Sequence, residues 1–278
     1  MKFGAHISAS GGVSNAPLNA AVLGLETFQF FSRPPQGSRV GPLHKDEITK
    51  FRDLCEKHGF EKCYIHAPYI INLASKEERI RNSSVEILRG ELERGSQLGV
   101  TAMMFHPGSA SGVGEEAGLK LVIDGIKKIL KGYKGTTRFL IEISAGAGMV
   151  MGDTFEEVGA MLKGAEHEML GVCFDTAHAF ASGYDLRDAD SVTKTMKAFD
   201  KHIGLDRLEL SHCNDSKVDI GARKDRHEHL GKGFIGLDGF KAIVGSKGFK
   251  NVNLILETEP DLVADDLVIL KKFRDKGK

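Results

Sequence analysis

Asp175 and His178 stand three residues apart, just where the apolar run Val172-Cys173-Phe174 breaks off. A carboxylate and an imidazole at that spacing, at the mouth of a buried strand, can face one point. Neither is there for packing. A carboxylate at the edge of a core is costly to desolvate unless something positive compensates it. A metal ion supplies that compensation economically, and imidazole with carboxylate is a donor set suited to Zn²⁺ or Mn²⁺.

The same chemistry recurs at other strand-like ends: His6, His66, His106, Glu142, His212 and Glu257. A further cluster, Asp225-Arg226-His227-Glu228-His229, falls in the long segment after the seventh run. A lone histidine closing a strand is more often a hydrogen-bonded structural residue than a ligand. The third to eighth runs, however, all place His, Asp or Glu at the same end. Packing alone would crowd unpaired acids and imidazoles into one concavity without counter-charge, so more than one ion is expected.

The elements that must position these groups are eight short β-like runs: Phe3–Ile7, Thr27–Phe31, Cys63–His66, Ala102–His106, Arg138–Ile143, Gly171–Phe174, Arg207–Leu210 and Asn253–Leu256. Helical periodicity fills the gaps between them, as in Asp46–Lys57, Ser83–Leu98 and Leu119–Leu130, with Gly59 and Gly99 as stops. Strand and helix alternating over this length predict an α/β protein, a (β/α)₈ TIM barrel forming a single domain over residues 1–278. A doubly wound open sheet is the rival, but Gly11-Gly12 after the first run lacks the phosphate-turn spacing. In a barrel every strand-end group named above projects from the C-terminal face, where active sites of this fold lie.

Composition is that of an ordinary globular chain, with Lys+Arg and Asp+Glu equal at 38 each, so net charge points to no polyanionic partner. Five cations nevertheless collect beside the Asp225 cluster: Lys217, Arg223, Lys224, Arg226 and Lys232. Next to a metal site they would meet phosphates. Cys55, Cys63, Cys173 and Cys213 have no zinc-finger or redox spacing and read as reduced thiols. The N-terminal MKFGAHIS has no signal-like apolar region and no run is long enough for a membrane span, so a cytoplasmic protein without a membrane partner is expected.

Taken in chain order, Asn72-Leu73, His106-Pro107-Gly108-Ser109, Glu142 with Ser144-Ala145-Gly146, and Asp175-Thr176-Ala177-His178-Ala179-Phe180 resemble endonuclease IV, the zinc-dependent apurinic/apyrimidinic endonucleases. His212-Cys213-Asn214-Asp215, Asp225-Arg226-His227 and Leu256-Glu257-Thr258 extend the resemblance to the last strand. The resemblance implies a (β/α)₈ barrel, a monomer in solution, and three Zn²⁺ per chain, with Mn²⁺ able to fill part of the set. It implies that His66 and His106 hold one ion, that Asp175, His212 and Glu257 hold a second, and that Glu142 bridges these two as the catalytic group. His178, Asp225 and His227 would hold the third. The implied reaction is hydrolysis of the phosphodiester 5′ to an abasic site in duplex DNA, leaving a 3′-hydroxyl and a 5′-deoxyribose phosphate.

An abasic nucleotide is cheap to extrude because it has no base to unpair. Tyr69 and Ile70, in the loop after the third run, are the implied wedge, and Arg226 a phosphate contact. The loop after the second run reads Phe31-Ser32-Arg33-Pro34-Pro35-Gln36-Gly37-Ser38-Arg39; it departs from the family pattern, as Ala147 does elsewhere, and leaves Arg33 or Arg39 as the inserted arginine. Two other functions compete. A sugar isomerase or epimerase on the same scaffold would use only Glu142, Asp175, His212 and Glu257. A damage-binding protein that does not cut would have lost part of the ligand set.

Overall fold

In a computed structural model of the chain, residues 1–36 and 40–276 are described. Eight parallel strands close a barrel: β1 (Phe3–His6), β2 (Thr27–Phe30), β3 (Cys63–His66), β4 (Ala102–Phe105), β5 (Arg138–Glu142), β6 (Leu170–Asp175), β7 (Leu208–His212) and β8 (Asn253–Leu256). Each strand pairs with its sequence neighbours, and β8 closes on β1 with Phe3 opposite Leu254. The expected (β/α)₈ architecture is therefore the observed one.

The strands are short and apolar because both faces are buried. One set of side chains, Tyr64, Ala102, Met104, Leu140, Cys173, Leu210 and Ile255, fills the barrel interior as a separate apolar cluster. Their strand neighbours, among them Phe28, Ile65, Met103, Phe105, Ile141, Phe174 and Leu254, pack outward beneath the helices. Glycine at position 4 lets β1 and β2 approach, since a β-carbon there would collide with the Thr27 carbonyl.

The helical layer comprises α1 (Asn15–Val22), α2 (Lys45–Lys57), α3 (Glu78–Leu98), α4 (Glu115–Leu130), α5 (Phe155–Ala165), α6 (Thr176–Ala181), α7 (Ala189–His202), α8 (Gly236–Gly245) and α9 (Val263–Lys276). The α3 helix ends at Gly99 in the left-handed conformation, φ 78°, as its sequence predicts. It begins at Glu78, ahead of the expected Ser83, because the largely charged turn 78–82, with Ile80 its one apolar residue, continues the helix. Two strands differ at their start: β6 begins one residue early, at Leu170, and β7 begins at Leu208 because Arg207 closes a 3₁₀ turn through its N–H to the Gly204 carbonyl, 3.1 Å. No helix among the described residues is long and apolar enough to cross a membrane.

Candidate metal centre

Side chains alternate across a strand, so a residue two places beyond an interior one also points inward. Tyr64, Met104, Leu140, Cys173, Leu210 and Ile255 line the interior. Two places on are His66, His106, Glu142, Asp175, His212 and Glu257. Register alone therefore lifts six donors to the C-terminal mouth. His178 arrives by a different route: Asp175 caps α6 by accepting from the His178 N–H at 2.8 Å, turning the helix so that the ring faces the same mouth. Asp225 and His227 come from the β7–β8 segment, which pairs with itself as a two-residue hairpin, Ser216 opposite His227.

These donors form three groups whose ligand atoms lie within 4.8 Å of one another: His66, His106 and Glu142; Glu142, Asp175, His212 and Glu257; and Asp175, His178 and His227. Asp225 adjoins the last group, its Oδ1 3.1 Å from His178 Nε2 and 3.3 Å from His227 Nε2. All nine ligands expected from the sequence thus meet in one place, with Glu142 shared between two groups. Glu142 is fully buried and faces four imidazoles, His212 at 2.9 Å, His66 at 3.1 Å, His106 at 3.4 Å and His178 at 3.5 Å.

Two ring nitrogens of the cluster are held by backbone carbonyls. His66 Nδ1 donates to the Ala67 carbonyl at 2.7 Å, and His178 Nδ1 to the Ile143 carbonyl at 2.9 Å. In the neutral ring each such bond leaves the lone pair on Nε2, the arrangement of a metal-ligating histidine. Asp175 Oδ2 accepts from Asn214 Nδ2 at 2.9 Å, and Asn214 Oδ1 in turn takes the Glu257 N–H at 2.7 Å. Beneath the third group, Asp215 gathers the backbone N–H groups of Ser216, Gly231, Gly233, Ile235 and Gly236, fixing the loop that follows His227.

Electrostatics bind the cluster to protons. Burial alone would raise the Glu142 carboxyl, but His106, His212 and His66 outweigh it and hold it well below the usual carboxylate range. Burial opposes charging His178, yet Asp175, Asp225 and Glu142 push it up to about 10. His212 is likewise raised well above its ordinary value against burial, by Cys173, Glu257 and Glu142. Burial wins at His106, which is lowered despite Glu142, and at His6, lowered to about 4. Imidazolium protons are thus the positive charges balancing these carboxylates, and a divalent cation would displace them. Nitrogen and oxygen donors without thiolate suit Zn²⁺ or Mn²⁺, so the residues fit the expected ions.

A cavity of about 300 Å³ opens onto these groups, rimmed by Tyr69, Thr258 and Pro260. Tyr69 and Ile70 protrude beside it, 66% and 44% exposed, with the Tyr69 ring edge-on to Phe31 at 5.3 Å. Arg226 is exposed, its guanidinium folded onto the Asp225 carbonyl at 2.7 Å. Arg33 is held in an ion pair. Its side chain is only 10% exposed and pairs at 2.6 Å with the fully buried Glu91 of α3, where Arg94 also joins, so it ties the β2 loop to α3. Arg39 lies outside the described residues. Sequence reasoning missed Gln29, a buried neutral side chain in hydrogen-bond contact with both His212 and Glu257. Its only signal was position, since it is the inward residue at the end of β2.

A family model described as "Xylose isomerase-like TIM barrel" matches residues 18–273. Among relatives, a probable endonuclease 4 of Chloroflexus aurantiacus is 39% identical over 276 residues, covering 98% of this chain and 97% of that protein. A probable endonuclease 4 of Clostridium beijerinckii is 40% identical over 276 residues, covering 98% and 99%. The solved endonuclease IV of Thermus thermophilus superposes with a TM-score of 0.89 at 34% identity, covering 99% of this chain and 100% of that one. A D-tagatose 3-epimerase-like protein shares the fold, with a TM-score of 0.73 at 20% identity, covering 100% of this chain and 98% of that one. Whole-length identity to such relatives, on a barrel carrying three donor groups and not one, makes this chain a member of the endonuclease IV family.

Proposed function

We propose that this protein is a DNA-repair hydrolase that cuts the phosphodiester 5′ to an abasic site in duplex DNA, with three zinc ions, leaving a 3′-hydroxyl and a 5′-deoxyribose phosphate. The observation that carries the proposal is the set of three donor groups, joined through Glu142 on one side and Asp175 on the other. An epimerase would employ only Glu142, Asp175, His212 and Glu257 and would leave the other two groups without a task.

Charge supports an anionic substrate. The nine donors comprise four carboxylates, Glu142, Asp175, Asp225 and Glu257, and five imidazoles. Three divalent cations against four carboxylates leave two positive charges, which a phosphodiester and a hydroxide would meet and a neutral sugar would not. Cations bound by these groups would supply Lewis acidity and bring water near a pKa of ~7. Glu142, between two groups, would orient the attacking water and accept its proton at a carboxylate oxygen. His178, Asp225 and His227 would hold positive charge beside the departing 3′ oxygen. Tyr69 and Ile70 would enter the stack beside the extruded deoxyribose, and Arg226 with Lys217 and Lys224 would meet backbone phosphates. A cytoplasmic protein acting as a monomer fits this role.

The test is incision of a duplex oligonucleotide carrying one abasic site, beside an undamaged control. Cleavage 5′ to the lesion with a 3′-hydroxyl product is expected. No cleavage of the lesion strand by zinc-loaded protein, with epimerisation of a ketose instead, would replace this function by the isomerase.

A further inference from the structure

Gln29 lies at the end of β2, the barrel strand whose inward terminal residue is neither acid nor imidazole, and it pairs in register with His6. The side chain is fully buried and both poles of its amide are engaged. Oε1 accepts from His212 Nε2 at 2.8 Å, while Nε2 donates to Glu257 Oε1 at 2.6 Å and to His6 Nδ1 at 3.0 Å. The opposite nitrogen of His212, Nδ1, lies 2.9 Å from Glu142 Oε1, 3.1 Å from Glu257 Oε2 and 3.6 Å from Asp175 Oδ2.

We infer that Gln29 is the positioning residue of the Glu142–Asp175–His212–Glu257 group, fixing which nitrogen of His212 and which oxygen of Glu257 face a cation. The inference rests on the metal-dependent reading above. An imidazole has one lone-pair nitrogen when neutral, and a proton held on Nε2 leaves that lone pair on Nδ1. The amide cannot turn over, because its oxygen would then oppose the Glu257 carboxylate and its NH₂ would oppose the His212 N–H. Glu257, tied at Oε1, presents Oε2 to the group. His66 and His178 are oriented by backbone carbonyls, which no substitution removes. His212 depends on a side chain, so it alone of these three is open to disorientation by a point change. Partners of this kind alter metal affinity by roughly 10–100-fold.

Zinc titration of the metal-stripped full chain against a chromophoric chelator, for wild type and Gln29→Met, tests this. Methionine keeps the length and loses all three polar contacts, to His212, Glu257 and His6. One cation of the wild-type set should bind about 10–100-fold more weakly in Gln29→Met, with the others unchanged. Equal affinities at every site in both proteins would overturn the role of Gln29 while leaving the metal centre intact. Failure of the wild type to take up zinc at all would remove the metal-dependent reading, and the inference with it. Should Gln29→Met not fold, long-range ¹H–¹⁵N correlation on zinc-loaded wild type decides. The inference requires a His212 ring protonated at Nε2 and metal-shifted at Nδ1; a proton on Nδ1 would end it.

Discussion

Replacing Glu142 with glutamine removes one charge and almost no volume. The structure gives the cost of that charge. Glu142 is fully buried and contributes to two of the three donor groups, with imidazoles at 2.9 and 3.1 Å on either side. Two unit charges about 3 Å apart interact by about 5 kcal/mol at an effective dielectric constant near 20. Allowing half of that for relaxation leaves roughly 2.5 kcal/mol lost at each adjoining cation, or roughly 70-fold in each binding constant. Losing both, together with the group that takes the water proton, predicts a fall in incision of at least about 10³-fold. The assay is single-turnover cleavage of an abasic duplex alongside elemental analysis of the same sample. Zinc per chain should drop while far-ultraviolet dichroism and chain compactness stay as in wild type. A Glu142→Gln protein that cuts within tenfold of wild type with a full metal complement would refute both the bridging and the proton-accepting roles.

Tyr69→Ala should lower the preference for abasic over intact duplex by about tenfold, since an exposed ring stacking on bases contributes roughly 1–3 kcal/mol; competition binding with both duplexes measures it, and unchanged discrimination removes Tyr69 as a wedge. The metal-stripped protein should melt at progressively lower temperature from pH 7 to pH 10. His178 is raised to about 10 in the folded chain, so its protonated form stabilises the fold fully below the unfolded value near ~6.5 and that contribution drains away as pH climbs to about 10. Saturating zinc should flatten the slope, and calorimetry showing a flat or rising curve without metal would contradict it. Asp215→Ala should cost about 3–5 kcal/mol in urea unfolding, because it strips acceptors from the amides of Gly231, Gly233, Ile235 and Gly236 at once.

The barrel and its donors were legible in the sequence for one physical reason. In a parallel barrel both strand faces are apolar, so the first polar residue after each apolar run marks the mouth, and period-two alternation aims it inward. Tyr64 to His66, Met104 to His106 and Leu140 to Glu142 all obey that rule. His178 was legible because it stands three residues after Asp175, just where the apolar run breaks off, whereas the capping of α6 by Asp175 that turns its ring inward was not. The partner of Arg33 was not legible because charge type says nothing of direction: the acid that holds it, Glu91, lies 58 residues away on α3, and no local pattern joins them. Gln29 was passed over for the opposite reason, being neutral and therefore silent in a search for titratable groups. Yet the same alternation that places His66 and His212 requires some inward side chain at the end of β2. A barrel mouth crowded with acids and imidazoles has one acceptable neutral occupant there, a group that donates to a carboxylate on one side and accepts from an imidazole on the other, and an amide is the side chain that does both.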